Sequence, residues 1–294
     1  MIIWLLISLI SRIPVWLLRA FSHVLFFFLY HIFRYRRQVV RLNLEHSFPE
    51  LTGRQLGTIE KGFYHHLSDL FPEMLRLVRI DPACSGESIR FKNPEILKHY
   101  LLAGESLVLL TGHTGNWEYG ILPLLSAGYR VLAVFKPQSS PIATDLINRI
   151  RMKPGVTVVP MKETYRTVKS ELERGGPPFI LGLVADQTPA QGDIHYWTRF
   201  LNQETAFFTG GAKLAHKFSM PVVYMDQKKN GFGKYETTLT SLYDGREEVT
   251  ESSLTERFVS VLEDTIRRDP RLWLWSHRRW KYQKEKLHLP DAQG

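Results

Sequence analysis

Apolar positions along this chain follow three different rhythms. The first 33 residues are almost continuously apolar: MIIWLLISLI, a break at SRIP, then VWLLRAFSHVLFFFLYHIF. From 52 to 78 the apolar residues Leu56, Ile59, Phe63, Leu67, Leu70, Met74 and Leu77 keep helical spacing, with Thr52 as the expected N-cap. A short helix is expected at 94–102, stopped by Gly104. Beyond it the period switches back and forth. Strands are predicted at 107–111, 130–135, 156–159, 179–184, 222–226 and 235–241, with helices at 116–127, 142–152, 164–174, 207–218 and 253–268. Such alternation predicts an α/β fold, a mainly parallel sheet flanked by helices on both faces. Residues 43–49 (NLEHSFP) read as a turn-rich joint, and the stretch from 185 to about 204 as a polar loop. There is no repeat, low-complexity segment or flexible linker. The simplest division is a hydrophobic membrane anchor at 1–33 and one α/β domain at 34–294.

The N-terminal segment differs in kind from the rest. Residues 14–33 would make a helix about 30 Å long, one hydrocarbon thickness. No positive charge precedes the apolar run and no small-residue cleavage site follows it, unlike a cleaved signal peptide. Arg12, Arg19, His23 and Tyr30, with Ser22 beside them, fall on one narrow stripe of this helix. A lipid-surrounded span rarely keeps an arginine so deep. The helix is therefore expected either to lie in the interface or to press its stripe against its own domain. Arg34, Arg36, Arg37 and Arg41 follow at once. Basic residues flanking an apolar helix mark the cytoplasmic side and attract anionic headgroups, although the same residues would also suit a solvated face. The expected location is the cytoplasmic face of the inner membrane.

Composition narrows the partners. The chain has 294 residues, 44% hydrophobic and 23% charged, with a formal net charge of +9. A basic balance suits nucleic acid, an anionic membrane or an acidic protein. The single Cys84 excludes an internal disulfide framework, and the eleven histidines show no HExxH or comparable spacing, so no metal is expected. Near the C-terminus WLWSHRRWKYQKEK interleaves Trp273, Trp275 and Trp280 with His277, Arg278, Arg279 and Lys281. That mixture fits nucleic acid or a membrane interface. No nucleic-acid-binding motif accompanies it, and the apolar N-terminus favours the membrane.

Candidate chemistry concentrates in SLVLLTGHTGNWE, residues 106–118. The apolar run 107–110 ends at a turn that Gly112 and Gly115 suit, which would put His113 at the carboxyl end of a strand, where α/β sheets bind ligands. Histidine exchanges protons near neutral pH, and a carboxylate can fix its tautomer. Glu118 is the carboxylate this spacing offers. On one continuous helix the two would lie about 140° apart, so the pairing requires His113 in the turn and Glu118 in the following helix, with Asn116 as its cap and Trp117 and Tyr119 packing beneath it. The motif contains no serine or cysteine nucleophile, which suggests a base that activates a substrate hydroxyl. Asp186 and Gln187 follow the predicted strand 179–184 and would share a sheet edge with His113, although a turn or cap role suits Asp186 equally well. Arg149 and Arg151 end the helix 142–152.

Taken together, RYRRQVVRLNLEHSFPE, HTGNWE, ADQTP at 185–189, FTGGAKLAHKFSMPVV at 208–223 and WLWSHRRWK at 273–281 resemble the lipid A biosynthesis acyltransferases, the late-acting lauroyl and myristoyl transferases of Gram-negative bacteria. The resemblance spans nearly the whole chain, and the ordered combination is far more specific than HTGNWE alone. It implies transfer of a fatty acyl chain from acyl carrier protein, occasionally coenzyme A, to a hydroxyl of a membrane lipid, with no cofactor. It implies His113 as general base and Glu118 as its orienting carboxylate, with Asn116, Arg149, Asp186 and Gln187 lining the substrate site. The partners implied are acyl carrier protein, the lipid acceptor and the anionic inner leaflet, and no nucleic acid. The loop after Gln187 departs from the family pattern, where acceptor or acyl chain would be read. Other acceptors (an aminolipid, a lysophospholipid or a phosphatidylinositol mannoside) and a non-catalytic basic membrane-surface protein are the competing readings.

Overall fold

The computed structural model describes residues 2–137 and 140–284; the last residues of the basic-aromatic stretch, 285–286, lie outside them. The N-terminal helices are α1 (Ile2–Ile10), α2 (Val15–Phe27), α3 (Arg37–Ser47) and α4 (Gly53–Arg76), with a π-helical turn Phe28–Ile32 extending α2. The rest of the chain runs β1 (Ile89–Phe91), α5 (Glu95–Leu102), β2 (Leu107–Thr111), α6 (Leu122–Ser126), β3 (Arg130–Phe135), α7 (Pro141–Met152), β4 (Thr157–Pro160), α8 (Thr164–Glu173) and β5 (Phe179–Val184). It continues through β6 (Trp197–Phe200), β7 (Gln203–Ala206), α9 (Gly210–Phe218), β8 (Val222–Gly231), β9 (Lys234–Tyr243) and α10 (Glu251–Arg268).

Seven strands form one sheet in the order β1-β9-β8-β2-β5-β3-β4. All neighbours are parallel except β8 and β9, which form an antiparallel hairpin. This is the expected α/β architecture. The central strand β2 is buried along its whole length, as a sheet covered on both faces requires. Val108 and Leu110 join a core with Leu181, Val222, Phe258 and Leu262, and Leu107 and Leu109 join a second one with Leu97, Tyr100 and Leu124 on the opposite face.

Several local expectations differ from the fold. Residues 43–49 are mostly helix rather than joint, because Val40, Asn43, Leu44 and Ser47 bury one face of α3. The polar loop after β5 contains the hairpin β6–β7, two strands too short to carry a readable alternation. β1, at three residues, escapes notice for the same reason. The helix expected at 116–127 is broken into a 3₁₀ turn, Tyr119–Ile121, and the single-turn α6. Thr52 does cap α4, in a reciprocal arrangement with Gln55.

The α2 segment, Val15–Ile32 with its π turn, is long and apolar enough to cross a membrane by length and composition. It packs along α4 through Leu18, Ser22 and Phe26, one residue per turn. Ser22 donates to Asp69, and Phe26 stacks on His65 with ring centroids 3.6 Å apart. Of the expected polar stripe, Ser22 and Tyr30 turn inward while Arg12, Arg19 and His23 stay exposed. Trp16, Phe21, Val24, Phe27, Ile32 and Phe33 are exposed on the remaining faces. A helix laid against its own domain, with its apolar outer face a candidate for membrane association, accounts for both surfaces.

The C-terminal segment locks the sheet edge. Trp275 is fully buried, donates to the Pro270 carbonyl at 2.6 Å, and meets Phe48 and Trp273 edge-on. Trp275→Ala is expected to destabilise the protein by about 3–5 kcal/mol, the cost of a large buried aromatic. Denaturant unfolding in detergent measures this, and a loss under about 1 kcal/mol would contradict the packing described.

Candidate active site

β2 ends at Thr111, and Gly112 begins the turn that carries His113. Gly112 is required by close packing: a Cβ there would sit 2.5 Å from Leu262 Cδ1 and 3.3 Å from Asp186 Oδ2. Gly115 adopts a left-handed φ of 59°, which glycine takes without strain. The C-terminal chain then closes over the turn. Thr114 bridges to Trp273, Leu274 N–H donates to the His113 carbonyl at 3.1 Å, and Gly115 N–H donates to Leu272 at 3.1 Å.

His113 is oriented by Asp186. Thr111 and Val184 are register partners on β2 and β5, so the first polar residues past each strand end meet. His113 Nδ1 lies 2.5 Å from Asp186 Oδ1, and the His113 backbone N–H donates to Oδ2 at 2.8 Å. Trp273 Nε1–H donates to the same Oδ2 at 2.7 Å. Burial pushes the Asp186 carboxyl up, but the His113 charge, both His113 hydrogen bonds and the Trp273 indole outweigh it and hold it down at about 2. An ionised Asp186 accepts from Nδ1–H, so Nε2 carries the free lone pair. Gln187 Nε2 stands 3.1 Å from that nitrogen and donates to it. His113 thus presents a basic nitrogen outward from a half-buried position.

The expected His113–Glu118 pairing is therefore corrected: Glu118 does not hold the imidazole. Its carboxylate makes a two-point ion pair with Arg151, at 2.8 Å from Nε to Oε2 and by a second contact from Nη2, and accepts from Trp117 Nε1 at 3.1 Å. Burial pushes the Glu118 carboxyl up, and Arg151 and Trp117 bring it below its ordinary value, so it stays ionised. Trp117 in turn stands edge-on to the His113 ring with centroids 4.7 Å apart. Glu118 positions the wall of the site, one residue removed from the base. Helical phase explains why spacing misled: the turn after Gly115 sends Glu118 towards α7 instead of back to the imidazole.

Two further expected residues lie elsewhere. Arg149 is exposed on α7 and pairs with Asp145 at 2.9 Å, one turn back on the same helix, so Arg151 is the arginine that reaches the site. Asn116 is buried and faces α4, not a cleft. Its Oδ1 accepts from Tyr119 N–H at 3.1 Å, the expected capping contact, and its Nδ2 donates to Glu73 at 2.8 Å. Trp117 packs on His113 and not beneath the helix, whereas Tyr119 is fully buried. Gln187 and Asp186 do belong to the cluster around His113.

Behind the turn lies a polar network that sequence reasoning missed. Glu73, fully buried on α4, accepts from Asn116, from Gly233 N–H at 2.7 Å and from Tyr235 Oη at 2.7 Å, with Lys229 Nζ 3.9 Å away. His66 Nε2–H donates to the Gly115 carbonyl at 3.1 Å while Nδ1 accepts from Lys229 at 3.2 Å. Burial, helped by Lys229, pushes the His66 pKa well down, consistent with this neutral tautomer. Lys229 also reaches Asp69 at 2.6 Å, the residue that receives Ser22. A carboxylate on the apolar face of a predicted helix, such as Glu73, is the signal that could have revealed this network.

The loop after Asp186 is clamped by the C-terminal motif. Thr188 Oγ1 donates to the Arg279 carbonyl at 2.5 Å, and Thr188 N–H donates to His277 Nε2 at 3.3 Å. Burial pushes His277 down to about 4, leaving it neutral as an acceptor. Arg279 is buried, bonds the Ala206 carbonyl at 2.6 Å and covers the Phe207 ring; burial lowers it to about 9. Trp280 donates to Thr205 at 2.7 Å.

A family model described as bacterial lipid A biosynthesis acyltransferase matches residues 1–282. The match takes in the N-terminal helices, the His113 turn and the C-terminal clamp, and the chain belongs to that family. No curated protein matches it.

The geometry ranks the two carboxylates. In Asp186→Asn the amide oxygen still accepts from the His113 backbone and Trp273, which turns Nδ2–H toward the imidazole and forces the proton onto Nε2. The acyl-transfer rate is expected to fall by about 10²–10⁴-fold, the scale of losing a correctly held base. Glu118→Gln keeps the imidazole tautomer and is expected to cost less than Asp186→Asn. Steady-state rates on the purified variants test the order, and a reversed ranking would return Glu118 to the role of orienting group.

Proposed function

We propose that this acyltransferase moves a fatty acyl chain from acyl carrier protein, or from coenzyme A, to a hydroxyl of a lipid A precursor. One observation carries the reading: Asp186 commits the Nδ1 proton of His113, leaving Nε2 as a base at the carboxyl edge of the sheet. His113 Nε2 takes the proton of the acceptor hydroxyl as its oxygen attacks the thioester carbonyl. A tetrahedral oxyanion forms, the C–S bond breaks, and the thiolate leaves with the proton from His113. The ester and a free thiol result. Gln187, the amide that now rests on Nε2, yields that position to the hydroxyl and is then available as a donor to the oxyanion; such a donor contributes about 3–4 kcal/mol.

The acyl chain has a seat nearby. A mostly apolar recess of about 300 Å³ is lined by Val134, Leu183, Ala185, Phe208, Gly210 and Leu214 among others. Ala185 immediately precedes Asp186, so a thioester at His113 would carry its hydrocarbon towards this recess. The exposed apolar face of α2 supports membrane association, with 1–33 as the anchor and the domain on the cytoplasmic face of the inner membrane, where both acyl donor and lipid precursor are accessible.

Lipid extracts test the acceptor. Cells lacking this protein are expected to accumulate a lipid A precursor short of one acyl chain by mass spectrometry, restored by the wild-type chain and not by His113→Ala. Loss of an acyl chain from an aminolipid or phospholipid instead would reassign the acceptor, and restoration by His113→Ala would end the proposed mechanism.

Donor preference tests the recess. A Cβ on Gly210 meets nothing within 4 Å, so Gly210→Leu can fold and project into it. The variant is expected to favour shorter acyl donors, read as kcat/KM across a chain-length series. An unchanged preference would remove this recess from donor binding.

A further inference from the structure

The juxtamembrane arginines do not spread along a surface; they converge. Arg34, Arg36, Arg37 and Arg41 line an open recess of about 880 Å³ together with Arg278, which arrives from the opposite end of the chain, and Glu60. Glu60 is buried and accounts for two of the five cations, Arg37 at 2.6 Å and Arg41 at 3.6 Å, while Arg41 also reaches Glu45 at 2.7 Å. Arg34, Arg36 and Arg278 have no carboxylate within salt-bridge distance among the described residues; Arg36 bonds only the Ser276 carbonyl, at 3.1 Å.

Backbone geometry concentrates this charge further. Arg34 and Arg36 both adopt left-handed conformations, φ 46° and 51°, which strain a residue with a side chain. Arg36 is the N-cap of α3, which has no side-chain cap and no acidic residue in its first turn. Arginines are thus gathered at the positive end of a helix, where they repel the dipole and one another. An anion in the recess would relieve that repulsion and take the free N–H groups of the first turn.

The recess is connected to the His113 turn through the C-terminal segment. Arg278 lies next to His277 and Arg279, which hold Thr188, and Thr188 follows the Gln187 that touches His113. Asn43 on α3 ties the same segment down, donating to the Trp275 and His277 carbonyls at 2.8 and 3.0 Å.

We infer that Arg34, Arg36 and Arg278 form a phosphate-binding cradle that captures a phosphate ester on the lipid acceptor. Guanidinium forks suit phosphate oxygens, and three of them without carboxylate partners match a multiply charged headgroup better than the diffuse charge of a leaflet. The inference rests on the acceptor being a lipid, as proposed above, and adds how its headgroup is read.

Binding without turnover tests it. The full-length protein, in neutral detergent micelles doped with phosphatidate, is expected to bind saturably, and micelles doped with diacylglycerol should not bind. Arg34→Gln and Arg278→Gln should each weaken phosphatidate binding about tenfold or more, the loss of one charged hydrogen-bonding partner. Arg246→Gln, a distant surface arginine paired with Glu105, should change nothing. Unaltered melting temperatures without lipid establish that the variants fold. Inorganic phosphate should compete, where sodium chloride of equal ionic strength should not. Equal competition by chloride, or equal losses for Arg246→Gln and Arg278→Gln, would reduce the recess to diffuse attraction and overturn the cradle. Because His113→Ala should bind phosphatidate like the wild type, a failure of the transfer chemistry and a failure of the cradle give different results.

Discussion

The contact between His113 and Asp186 is the constraint around which the site is arranged. A carboxylate at 2% exposure must have its charge answered, and here three donors answer it: the His113 ring, the His113 backbone and the Trp273 indole. Those donors come from three distant parts of the chain, and each requires structure of its own. The sheet register brings 113 and 186 to adjacent strand ends. The C-terminal segment must cross the turn for Trp273 to reach Oδ2. That crossing is sustained by the Thr114–Trp273 bridge and by Trp275 buried below it. Removing any of the three donors leaves a buried charge underpaired, so the catalytic geometry and the local fold are stabilised by the same contacts.

Much of this was legible in the residues, and the failures have a common cause. Strands β2, β3 and β5 and their crossover helices announce themselves by period, because a sheet buried on both faces demands continuous apolar runs. Asp186 was legible as a neighbour of His113, since both follow strand ends. Which carboxylate holds the imidazole was not. Glu118 is five residues away in sequence, but the left-handed Gly115 and the 3₁₀ turn at Tyr119 redirect the chain, and Arg151 claims Glu118. Asp186 is 73 residues away and arrives by register. Arg149 and Arg151 differ by nearly half a helical turn, so only one can face the site, and sequence proximity cannot say which. Trp273 stood in a conspicuous aromatic run whose partner, a carboxylate beneath the turn, has no local signature.

Helix α4 connects α2 to the His113 turn by a continuous set of polar contacts. Ser22 of α2 donates to Asp69, Asp69 accepts from Lys229, Lys229 donates to His66, and His66 donates to the Gly115 carbonyl. One turn further along α4, Glu73 holds Asn116. Buried networks of this kind are stabilising only when every member is satisfied, which makes them sensitive to displacement of any one. The seating of α2 on its domain and the shape of the His113 turn are therefore linked through groups that cannot shift independently. A helix anchored by apolar contacts alone would tolerate sliding; Ser22 on Asp69 fixes its register.

The same logic distinguishes the chain's two arginine arrangements. Arg151 and Arg279 are drawn inward, one onto a carboxylate and the other onto the Ala206 carbonyl, the Thr188 hydroxyl and a ring face. Their burial rigidifies the walls around His113 and the loop after Asp186. Arg34, Arg36 and Arg278 remain at the surface beside a helix N-terminus that repels them, held there by a strained backbone and by the Ser276 carbonyl. A fold that buries Arg151 against a carboxylate, yet leaves three arginines converging without one, maintains an electrostatic deficit in this recess. A deficit of that kind lowers the free energy of an anionic ligand more than that of the empty protein, so it acts on binding rather than on folding. The arginine recess differs in character from the apolar recess beside Ala185.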